Sequence, residues 1–81
     1  MAGPRVFADF GNADSEGRVR LNTRGTREDL SRLGMSLSES MRLTLTDYDE
    51  FEIEGVVSFS REEQIWVATI DWNVLGKKPP G

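Results

Sequence analysis

The chain has 81 residues, 37% of them hydrophobic and 30% charged, and carries a net charge of −4. That is the balance of one small globular domain with a thin core, because a chain of this size buries only about 60–65% of the surface its unfolded form exposes. It contains no cysteine and no histidine, which excludes a disulfide framework, a thiolate metal site, Ser–His and Cys–His nucleophile pairs and a histidine pH switch.

No apolar run approaches the roughly 20 residues of a membrane-spanning helix. The opening segment MAGPRVFADF lacks the apolar core of a signal peptide, so a cytoplasmic protein of bacterial type is expected. Charge is uneven. Residues 1–45 hold seven Arg against six acids, and residues 46–81 hold one Arg and two Lys against eight acids. A chain-wide basic surface is excluded, but a local one is not.

In chain order, RVFADF (5–10) predicts a first strand with Val6, Ala8 and Phe10 on one face. GNADSEG (11–17) carries a hairpin-type loop signal. RVRLNT (18–23) alternates strictly, with Val19 and Leu21 inward and Arg18 and Arg20 outward. TREDLSRL (26–33) predicts one short helix with Thr26 as N-cap, Glu28 and Asp29 in its first turn and Gly34 as the left-handed residue beyond its end. MRLTLT (41–46) predicts a strand with Met41, Leu43 and Leu45 inward, followed by a DYDE turn. FEIEGVVSFS (51–60) is the longest predicted strand, with a bulge or bend at Gly55. After a REEQ loop, IWVATIDW (65–72) predicts a last strand that places Trp66 and Trp72 on the same face. A single domain over 1–76 and a frayed tail over 77–81 complete the expected organisation.

The predicted order is β-β-α-β-β-β. Five short strands must close or nearly close to hide their edges, so the expected fold is a mainly β, SH3-like five-stranded barrel with one short helix. An OB-like barrel is the alternative; there the helix usually falls between the third and fourth strands.

Chemistry has few footholds. Asp47, Asp49, Glu50, Glu52 and Glu54 crowd one segment, but the Gly and Glu of a calcium loop are not at their positions. The best reading of these acids is a solvated turn and strand face. No phosphate loop and no nucleophile motif is present. The expectation is therefore a protein that is not an enzyme, with no cofactor and no metal. Two binding surfaces stand out. Trp66, Trp72 and Tyr48 would make an aromatic patch in an acidic surround, suited to a basic or proline-rich peptide of a protein partner or equally to a homodimer seam. Arg18, Arg20, Arg24 and Arg27 would make an anionic-partner or nucleic-acid surface if the loop folds back beside the helix N-terminus.

The segments RVRL, T-x-x-DL, L-x-x-x-M-x-L-x-L and G-V-V-x-F…W-V-A-x-I-D, spread over residues 17–72, resemble those of small bacterial SH3-like β-barrel proteins of unassigned function. The resemblance implies that fold and carries over no functional residue.

Overall fold

The computed structural model describes residues 4–80. Seven elements follow in order: β1 (Arg5–Phe7), β2 (Val19–Arg20), α1 (Arg24–Leu33), β3 (Arg42–Thr46), β4 (Glu52–Ser60), β5 (Ile65–Thr69) and α2 (Trp72–Leu75). The strands form one curled sheet, a half-barrel, in the order β1-β3-β4-β5-β2. All pairs are antiparallel except β1 with β3, which run parallel.

Period-two alternation builds the core. Leu43 and Leu45 of β3 face Gly55 and Ile53 of β4, and Val57 faces Ala68 of β5. With Val6, Ala8, Phe10, Val19 and Leu21 these residues form one buried apolar cluster. The inward faces read from the sequence at residues 6–10, 19–21 and 43–45 are the ones the fold buries.

Several local expectations are corrected. The 11–17 loop does not join β1 to β2 in a hairpin, because these strands lie at opposite edges of the sheet. Its turn residues serve another purpose. Asp14 accepts hydrogen bonds from the backbone N–H groups of Glu16 and Arg18, and Asn12 O and Arg18 O pair with the backbone on either side. The segment 12–14 thereby lies along the free edge of β2, bridged at Ala13–Val19. Gly55 makes no bulge, since β4 keeps an unbroken register with both neighbours. A Cβ there would stand 2.9 Å from Leu45 Cδ1 and 3.3 Å from the Ala68 Cβ, so the glycine makes room for the core. The last strand stops at Thr69. Asp71 then accepts hydrogen bonds from the Asn73 and Val74 N–H groups and caps the single turn α2, which takes Trp72 out of the sheet.

α1 starts earlier than predicted. Thr23 is the N-cap residue, in extended conformation, and Thr26 lies inside the helix, fully buried. The reason is the free edge of β1. The Phe7 N–H and C=O point away from β3, and α1 covers them. The Thr26 hydroxyl donates to Phe7 O (2.6 Å), and an Asp29 carboxylate oxygen accepts from Phe7 N–H (2.8 Å). Both outward hydrogen-bonding groups of Phe7 are thus filled by helix side chains.

The approach is close enough to require glycine, because a Cβ at position 25 would stand 2.7 Å from the Phe7 ring. Gly→Ala inside a helix ordinarily stabilises by about 0.5–1 kcal/mol. Here Gly25→Ala is expected to destabilise by about 1–3 kcal/mol through overpacking, read as a lower urea midpoint. Unchanged or raised stability would show that α1 does not seat on Phe7.

Candidate functional site

The half-barrel leaves one side of its mouth uncovered. There a groove of about 650 Å³ runs between α1 and the tip of the β4–β5 hairpin. One wall follows from the end of α1. Gly34 takes the left-handed conformation (φ 66°), its N–H donates to Ser31 O, and the Met35 N–H donates to Leu30 O. This double bond pattern turns the chain so that the residue after the glycine packs beside the last helical turns. Met35 and Leu30 therefore stand together, followed by Leu37, all three partly buried against the core.

The other wall is aromatic. Phe59 and Trp66 pair across β4 and β5 and meet edge to face, with ring centroids 5.1 Å apart. Phe59 is 37% exposed, high for an aromatic at an inward-facing register. Its backbone N–H lies beyond the end of β3 and donates to the Glu39 carboxylate instead. Gln64, in the hairpin turn, holds a left-handed backbone (φ 59°) on the groove lining. A non-glycine residue in that region costs about 1 kcal/mol or more.

The polar lining is Asn22, Arg27, Ser36 and Gln64. It contains one charge, that of Arg27. The Arg27 guanidinium makes a single long contact, 3.4 Å to Asn22 O, and no ion pair among the described residues.

The aromatic residues singled out from the sequence do not form one patch. Trp66 lines the groove. Trp72 lies edge-on to Phe10 and donates its indole N–H to Gly17 O (2.7 Å). Tyr48, 56% exposed, stacks on Phe7 and donates its hydroxyl to Asp29 (2.9 Å). The three residues thus belong to three settings, because the strand that would have aligned the tryptophans ends before Trp72.

The arginines divide as well. Arg18 pairs with Asp14 and Glu16, and Arg20 grips Glu63 through two nitrogens while also donating to Asn12 and Ala13 O. Arg24 pairs with Glu28 one turn along α1. Of the four, only Arg27 lacks a carboxylate among the described residues. Arg61, in the β4–β5 turn, also lacks one but lies outside the groove lining. The i,i+4 spacing of Arg24 and Glu28 is the sequence signal for that pair.

The acids of residues 47–54 are used locally. Asp47 accepts from the N–H groups of Asp49, Glu50 and Phe51, which together hold its carboxyl below the usual range. Glu52 pairs with Arg5 and Glu54 with Arg42. Among the described residues no group of three or more acids is gathered so as to hold a metal ion, and no helix is long and apolar enough to cross a membrane.

Comparison with known proteins finds no family, no curated relative and no solved structure that matches this chain.

The wall of the groove depends on Asp29. Burial alone would raise its carboxyl, but the Arg32 guanidinium, the Phe7 N–H and the Tyr48 hydroxyl together hold it below the usual value. A carboxyl lowered in the folded state contributes stability that is fully present above its unfolded value near pH 3.9 and is lost as pH falls through the folded value. Asp29→Asn is therefore expected to cost about 1–3 kcal/mol at neutral pH. It should also flatten the fall in stability below about pH 4. Urea titrations at neutral and acid pH check both, and a variant whose acid sensitivity equals that of the parent would contradict this role.

Proposed function

We propose that the chain is a non-enzymatic binding module of SH3-like small-barrel type and that the groove between α1 and the β4–β5 hairpin receives a segment of a partner protein. The helix follows the second strand, which favours the SH3-like over the OB-like reading. The observation that carries the function is the groove itself. It is an open, largely apolar channel floored by Phe59 and Trp66 and walled by Leu30, Met35 and Leu37. Bulky side chains left partly open beside a thin core are what a docking surface for apolar anchors requires. Phe7 on one sheet edge and Val19 on the other carry other backbone or side-chain partners, which favours engagement through side chains in the groove over an added strand.

The alternative, nucleic-acid binding through Arg18, Arg20, Arg24 and Arg27, has less support, since three of these would have to leave carboxylates to meet phosphate.

A random dodecapeptide display library selected on the chain tests the proposal. The selected peptides are then measured on the parent, on Met35→Glu and on Leu37→Glu, each checked for a parent-like urea midpoint. Expected is a loss of affinity of about tenfold or more on a folded groove variant. Equal binding to parent and variants would overturn the groove reading. A single-stranded oligonucleotide that binds more tightly than any peptide, with affinity falling steeply as salt rises, would favour the alternative instead. A concentration-dependent mass abolished by Met35→Glu would make the occupant a second copy of this chain.

A further inference from the structure

We infer that the segment the groove receives is acidic, carrying a carboxylate that pairs with Arg27 beside apolar anchors on Phe59 and Trp66. The inference rests on the groove reading above and specifies its occupant. It follows from charge accounting around the channel. Each carboxylate next in sequence to a lining residue is occupied: Glu28 with Arg24, Asp29 with Arg32, the Phe7 N–H and the Tyr48 hydroxyl, and Glu63 with Arg20; Glu39, two residues beyond Leu37, accepts from the Phe59 N–H. Their charges are committed to partners of the fold. The lining holds one formal charge, and it is positive. The Arg27 guanidinium offers five N–H donors, only one of which meets a protein acceptor among the described residues, at 3.4 Å.

A guanidinium at the edge of an apolar channel is matched by a carboxylate, which it can hold through two parallel N–H bonds. The pairing supplies what the apolar walls lack. Leu30, Met35 and Trp66 accept any bulky apolar side chain, whereas the single cation sets register and rejects a basic segment. The overall negative charge of the chain works against acidic partners at long range, so recognition depends on this local contact and weakens if it is removed.

The test repeats the peptide selection on the parent and on Arg27→Glu. Expected from the parent is a consensus joining two or more bulky apolar residues to an Asp or Glu. Those peptides should weaken about tenfold on Arg27→Glu, and less on Arg27→Lys. Replacing the peptide's Glu by Gln should produce a similar loss on the parent and little on Arg27→Glu. Selection on Arg27→Glu should bring Lys or Arg to the same position. A neutral or basic consensus from the parent, or acidic peptides that bind Arg27→Glu as well as the parent, would overturn the inference while leaving the groove standing. Peptides indifferent to Met35→Glu and Leu37→Glu would overturn the groove itself.

Discussion

The arrangement depends on the backbone of one residue, Phe7. Phe7 is in an edge strand, and its N–H and C=O point away from the sheet. Left bare, they would offer a pairing edge to another chain. Instead Asp29 accepts from the one and Thr26 donates to the other. Gly25 lets the helix backbone come down onto the Phe7 ring, and Tyr48 stacks on that ring while bonding Asp29. Because α1 is too short to be stable alone, these contacts fix its position. They also fix where it ends, and so where Gly34 turns the chain and sets Met35 beside Leu30. The groove is a consequence of how the edge is protected.

The same logic runs at the opposite edge and explains the arginines. Segment 12–14 covers β2, and Asp14 is its anchor, accepting from two backbone N–H groups and from the Arg18 guanidinium. Burial would raise the Asp14 carboxyl, yet these donors hold it low. Arg20 ties that segment to the β4–β5 turn through Glu63. Basic residues in an acidic protein are concentrated here because the irregular segments at both edges are fastened by ion pairs and hydrogen bonds rather than by apolar burial. Arg27 stands apart because its neighbours hold no free acid.

Much of the fold was legible from alternation. Val6, Ala8 and Phe10, Val19 and Leu21, and Leu43 and Leu45 all face inward as their spacing requires, because side-chain period two is a local property of a strand. What was not legible is which strands meet. GNADSEG looks like a hairpin turn because Asp and Asn bind nearby backbone, and those bonds form whether or not the flanking strands pair. The parallel β1–β3 pairing is a long-range choice that no local residue encodes. Thr26 reads as an N-cap by type, but its hydroxyl serves a backbone carbonyl 19 residues away. Trp66 was recognised as a binding candidate from its size. Its true partner in the site, Phe59, was hidden because Val56 and Val57 obscured the phase of β4, and Met35 and Leu37 lie in a segment with no regular structure.

The proposed binding site lies between the end of α1 and the β4–β5 hairpin. The methionines report on it directly. Met35 lines the groove, while Met41 packs against the core outside it. With the methionine methyl groups labelled with carbon-13, addition of a library-selected peptide is expected to shift the Met35 methyl resonance and leave that of Met41 in place. A shift confined to Met41, or saturable binding that moves neither resonance, would contradict that placement.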